Sequence, residues 1–113
     1  MSRIVLLVDD DPLVLDITGA MLEELGCEVL TAGSGAQALA RIAATRHIDT
    51  LITDINMPAM SGYELAERAR RLRHGLAVIF LSGRETDGHG FPIVRKPFAG
   101  RDLARVMSGA GLC

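Results

Sequence analysis

Ile4-Val5-Leu6-Leu7-Val8-Asp9-Asp10-Asp11-Pro12 decides the fold. Five apolar residues in an unbroken, β-branched-rich run read as a strand covered on both faces, because a strand with one face in water alternates apolar and polar positions. The run stops at three aspartates. Asp11-Pro12 then supplies an N-cap and a first-turn proline, and Leu13, Ile17, Ala20, Met21 and Leu25 recur as an apolar stripe at helical spacing until Gly26. Residues 4–26 therefore make one strand-helix unit.

Outward from that unit the pattern repeats. Residues 28–32 read as a short strand and 36–44 as an alanine-rich helix with Leu39, Ile42 and Ala43 on one side. Residues 50–53 form a third strand. After the loop 54–61, a helix runs to about Arg73 with Leu65, Ala69 and Leu72 inward. Residues 76–81 read as a fourth strand, 93–94 as a short fifth, and 100–108 as a last helix. Strands alternating with helices predict an α/β fold, a parallel sheet covered on both faces and wound by right-handed crossovers.

The 113 residues suit one domain, 1–113, with one modest core. An apolar share of 49% favours a buried sheet over disorder. Net charge is −2, and the only basic concentration, Arg68, Arg70, Arg71 and Arg73, reads as a solvated helix end, so no nucleic-acid footprint is present. Cys27 and Cys113 match no metal or disulfide spacing, which favours a reduced, cytoplasmic compartment. The run at 4–8 is too short for a signal peptide or a membrane span. His47, His74 and His89 have no ligand spacing, and surface positions are expected for His74 and His89. Met57 and Met60 read as packing or partner contacts.

In open parallel sheets ligands bind beyond the carboxyl ends of the strands, where the strand order reverses. Strand one ends in Asp9 and Asp10 and strand three leads into Asp54, so three carboxylates are expected at one edge. Like charges in one crevice push at least one group toward protonation unless a cation is bound. Oxygen-only ligands suit Mg²⁺. Lys96, after the fifth strand, would balance the remaining charge, and Ser82, at the end of the fourth, offers a hydroxyl donor. Such a set serves phosphoryl transfer, with an aspartate as nucleophile.

Residues Val8 to Pro12, then Asp54-Ile55-Asn56-Met57-Pro58-Ala59-Met60-Ser61-Gly62, Leu81-Ser82-Gly83 and Arg95-Lys96-Pro97-Phe98 resemble the four signature segments of response-regulator receiver domains of two-component systems, in order and at strand ends. The resemblance covers nearly the whole chain. It implies a flavodoxin-like sheet of five strands in the order 2-1-3-4-5, phosphorylation of Asp54 by a histidine kinase or histidine phosphotransfer protein, and an output protein of unassigned identity, with a homodimer also open. It implies that Asp10 and Asp54 bind Mg²⁺ directly, Asp9 through water and Asn56 through its backbone carbonyl. Ser82 and Lys96 would contact the phosphoryl group, and Lys96-Pro97 would be cis.

Two features depart from the family. Only residues 83–91 remain for the fourth crossover, and a crossover with a helix needs roughly 10–12 residues, so the fourth helix is expected to be missing or reduced. This truncation resembles stand-alone receivers and those attached to hybrid histidine kinases. It would uncover one face of the sheet as a partner site. The family's aromatic residue three positions before the lysine is replaced by Ile93, with Phe91 nearby but expected to point to the opposite side or into the loop. Signalling through ordering of loop 83–91 is the resulting expectation, with Gly62 as a conformational turn glycine and with Asn56 and Arg84 flanking the path of attacking water. Two other functions share part of this pattern. Asp9-x-Asp11 is similar to the start of the haloacid-dehalogenase-like phosphohydrolase signature, but Leu13 stands where threonine is expected and 113 residues are expected to leave no cap domain to enclose a substrate. A receiver-like module that is never phosphorylated normally lacks the acceptor or the acidic pair, and both are here.

Overall fold

The computed structural model describes residues 3–45 and 47–109. In chain order it contains β1 (Ile4–Val8), α1 (Pro12–Glu24), β2 (Glu28–Ala32), α2 (Gly35–Ala44), β3 (Thr50–Asp54), α3 (Gly62–Leu72), β4 (Ala77–Ser82), β5 (Ile93–Arg95) and α4 (Gly100–Gly109). All strand pairs are parallel, in the order β2-β1-β3-β4-β5. The α/β class and the flavodoxin-like order are as expected. Cys113 lies outside the described residues, and Cys27 is buried.

Two apolar layers account for the unbroken strands. Leu6, Val8, Leu51, Val78 and Phe80 meet Ala38 and Ile42 of α2 and Leu65, Ala66 and Ala69 of α3. Val5, Leu7, Ile52, Ile79 and Leu81 face the other way, onto Leu22 of α1 and Leu103 and Met107 of α4. Each fully buried side chain of this size stabilises the fold by roughly 1.5–3 kcal/mol, so both layers are needed against chain entropy.

Helix faces were only partly legible. In α1 the buried residues are Thr18, Gly19 and Leu22, whereas Leu13 and Ile17 are 64% and 51% exposed and Ala20 is exposed. This helix is apolar on more than one side, and the sheet takes the side whose small residues permit close approach. Leu72 and Ala43 are exposed too, each at the end of its helix. The arginine group is likewise divided. Arg68 and Arg71 pair with Glu64 and Glu67 on the exposed face, as expected. Arg70 instead donates to Leu76 O at 2.8 Å, and Arg73 donates to Ile42 O and Thr45 O at 2.9 and 3.0 Å, satisfying carbonyls left open at the end of α2.

Residues 83–92 cross from β4 to β5 without a helix. The crossover nevertheless starts as a helix starts. Ser82 Oγ accepts the N–H groups of Arg84 and Glu85 at 3.1 and 2.7 Å, as an N-cap does. A left-handed turn at His89 and Gly90, closed by Phe91 N–H to Gly88 O at 2.9 Å, then redirects the chain. Phe91 does not point away. It lies two residues before Ile93 and packs on the same side of the sheet, edge-on to Phe80 at 6.1 Å and under the Arg70 guanidinium. The uncovered face is thereby reduced to a groove of about 590 Å³ whose lining includes Tyr63, Arg70, Phe80, His89 and Phe91.

Candidate functional site

The strand register brings four side chains to one end of the sheet. Val8 pairs with Thr53, so Asp9 and Asp54 emerge side by side between the strands where the order reverses. Asp54 pairs with Leu81 and Ser82 with Arg95, which puts Ser82 and Lys96 at the same edge. Lys96 N–H donates to Ser82 O at 2.7 Å, and the Lys96-Pro97 bond is cis.

Asp9 and Asp54 are buried and Asp10 is exposed, yet a carboxylate oxygen from each lies within 4.8 Å of the others. Lys96 Nζ sits 3.3 Å from Asp9 Oδ2 and 3.5 Å from Asp54 Oδ2. One ammonium against three carboxylates leaves two negative charges, and an all-oxygen donor set of this kind fits a hard divalent cation. The Asp54 carboxyl is held above the ordinary carboxylate range, mainly by burial; Lys96 opposes this and Asp9 adds to it. Repulsion among the aspartates is therefore present but secondary to burial. Asp9 Oδ1 accepts Asp11 N–H, and Asp11 accepts Leu13 N–H, both at 3.0 Å, so Asp11 caps α1.

Ser82 and Asn56 are bound to a residue that goes unnoticed in the sequence, Glu85. The Ser82 hydroxyl donates to Glu85 Oε2 at 2.8 Å, and Asn56 Nδ2 reaches both carboxylate oxygens at 3.0 and 2.8 Å. These donors hold the Glu85 carboxyl below its ordinary range, with the Ser82 hydroxyl the largest cause. A signal exists in Ser82-Gly83-Arg84-Glu85, which has the Ser-x-x-Glu spacing of a capping box. Arg84 is exposed.

Gly62 is beside the site for a different reason than turn flexibility. A Cβ there would overlap Asp54 O and lie 2.9 Å from Ile55 Cα, while Gly62 N–H donates to Ile55 O at 2.8 Å. It is the space that is needed. Met57 and Met60 pack on the α2–α3 side of the core. His47 and His74 are exposed, and the exposed His89 stacks on Tyr63 with ring centroids 3.9 Å apart.

Fold and site together define a doubly wound α/β protein with an acidic pocket at its switch point and a lysine on a cis-proline turn. The chain belongs to the response regulator receiver domain family, which matches residues 5–105. It is thus a receiver domain of two-component signalling. It is 40% identical over 78 residues to the sensor histidine kinase RcsC of Escherichia coli, a match covering 69% of this chain and 8% of that kinase. A response regulator receiver domain protein from Clostridium thermocellum superposes with a TM-score of 0.87 at 30% identity, covering 96% of this chain and 93% of that one. The receiver domain of sensor histidine kinase PA1611 from Pseudomonas aeruginosa, with a magnesium ion coordinated in its active site cleft, superposes with a TM-score of 0.84 at 26% identity, covering 96% and 97%. Among the described residues no helix is long and apolar enough to cross a membrane.

Proposed function

We propose that residues 1–113 form one phosphoacceptor domain in the cytoplasm, in which Asp54 accepts a phosphoryl group from a histidine kinase or histidine phosphotransfer protein, with Mg²⁺ bound, and thereby acts on an output protein. The observation that carries this is Lys96 Nζ lying between Asp9 and Asp54 with Asp10 close by. An Asp54 carboxylate oxygen attacks the phosphorus of a phosphohistidine. A P–O bond forms, the P–N bond breaks, and the leaving imidazole takes up a proton. Asp9, Asp10, Asp54 and the Asn56 carbonyl are the groups that would hold Mg²⁺, which when bound offsets the charge of the phosphoryl oxygens. Lys96 supplies a fixed positive charge to the same oxygens, and Ser82 a hydroxyl. Water later cleaves the acyl phosphate, returning the carboxylate and inorganic phosphate. The domain is regulatory rather than an enzyme with a substrate of its own.

Incubation with acetyl phosphate and Mg²⁺, followed by intact mass and peptide mapping, is expected to add one phosphoryl group at Asp54, and chelation to suppress it. Labelling that is unchanged by chelation, or that maps elsewhere, overturns the assignment.

A partner bringing phosphohistidine must dock beside the pocket, and the apolar rim lies on α1. Leu13 and Ile17 are exposed, and Ile17 lines a groove with Val14, Met21, Pro97, Phe98 and Lys96 itself. Ile17→Glu is expected to slow transfer from a phosphorylated histidine protein roughly tenfold, by loss of one buried aliphatic contact. Labelling by acetyl phosphate, which needs no protein surface, should keep its rate. Equal slowing with both donors would place the defect in the pocket.

A further inference from the structure

We infer that Glu85 is an internal competitor for the phosphoryl group, a latch that occupies Ser82 and Asn56 until phosphorylation displaces it and frees the start of loop 83–92. The inference rests on the proposed modification of Asp54.

The latch follows from counting protons. A hydroxyl has one to donate and two lone pairs. Ser82 Oγ already accepts from Arg84 N–H and Glu85 N–H, and its proton is given to Glu85 Oε2. Holding a phosphoryl oxygen on Asp54 requires that same proton. Two anionic acceptors cannot share it, and they repel each other at close range. Asn56 is committed in the same way, its amide nitrogen bound to both Glu85 oxygens. Of the side chains assigned to the phosphoryl group, Lys96 faces Asp54 while the Ser82 hydroxyl is turned to the loop, and the Asn56 amide, whose backbone carbonyl stays free for the metal, steadies the carboxylate that takes the Ser82 proton.

The consequence for the loop is directional. Its far half has separate anchors: Tyr63 Oη donates to Asp87 O at 2.5 Å, His89 stacks on Tyr63, and Phe91 packs on Phe80. Its near half, residues 83–86, hangs on Ser82 and on the Glu85 carboxylate. The loop is thus anchored before modification, and displacement of Glu85 loosens its near half. That is the reverse of the ordering expected from the sequence.

The test uses beryllofluoride with Mg²⁺ as a phosphoryl mimic on the full chain, read by amide exchange and by titration. In the wild type, protection of Arg84 and Glu85 amides is expected to fall on addition of the mimic. In Glu85→Ala it is expected to be lower than in the wild type beforehand, because only the Ser82 Oγ contacts then hold these amides, and to change less on addition of the mimic, while affinity for the mimic rises roughly three- to tenfold, the scale of one or two lost hydrogen bonds. Ser82→Ala should also loosen the loop but lower the affinity, which separates competition from simple loosening. If acetyl phosphate labels Asp54 yet the wild-type loop is unchanged by the mimic and Glu85→Ala binds it no better, the latch is refuted while the acceptor assignment stands. If Asp54 is not labelled at all, both fall.

Discussion

Asp54→Asn is expected to abolish the phosphoryl mass gain and, in metal-free buffer at neutral pH, to make the fold more stable. The first effect follows from chemistry, since an amide oxygen at that position is a poor nucleophile and cannot form the acyl phosphate. The second follows from the raised folded-state titration of Asp54, caused first by burial. A carboxyl whose folded pKa lies above its unfolded one binds more protons when folded, so it costs no stability below the unfolded pKa and lowers stability as pH rises through the window between the two. Asparagine keeps the shape without that cost. Urea denaturation at pH 7 with chelator should therefore give a higher midpoint for the variant, with the gap closing as pH falls. Added Mg²⁺ should reverse the order, because a cation held by three carboxylates stabilises the wild type by linkage and the variant less. Equal midpoints with chelator at pH 7, or a mass gain in the variant, would sink the account of this site.

Gly62→Ala should be strongly damaging, because the contact it creates is with the backbone of the site itself. The added methyl would overlap Asp54 O and crowd Ile55 Cα, so α3 must move off the end of β3 or the Asp54 backbone must shift. Overpacking of this kind costs about 1–3 kcal/mol, and here both neighbours are backbone that cannot rotate away. Chemical denaturation should show the loss, and acetyl-phosphate labelling should slow in the fraction that remains folded. Gly75→Ala is the control. It has open space around the new methyl, and a change within about 0.5 kcal/mol is expected there. Similar losses in both variants would show that glycine content, rather than the contact with Asp54, is what matters.

The strand ends were legible because two independent patterns met there. The runs at 4–8, 50–53 and 76–81 are set by burial on both faces, and Asp9, Asp10, Asp54 and Ser82 stand just where those runs stop, with Lys96 directly after the short fifth strand. Helix faces were less legible. Spacing gives a period but not which stripe meets the sheet, and α1 turned Thr18, Gly19 and Leu22 inward while Leu13 and Ile17 stayed in solvent. Arg70 and Arg73 read as solvated charge because a sequence does not show which carbonyls a neighbouring helix leaves open.

The sequence by itself determined the α/β class, the acidic pair beside Asp54 with Lys96 to balance it, and a fourth crossover too short for a helix. Strand patterning, the placement of sites at the carboxyl ends of parallel strands, and the length of the crossover suffice for these. Only the tertiary structure decided which partners the pocket's polar groups take. Lys96 faces Asp9 and Asp54, but Ser82 and Asn56 are held by Glu85, a residue 29 positions beyond Asn56. A hydroxyl proton has one recipient at a time, and which one depends on groups brought together by the sheet rather than on neighbours along the chain.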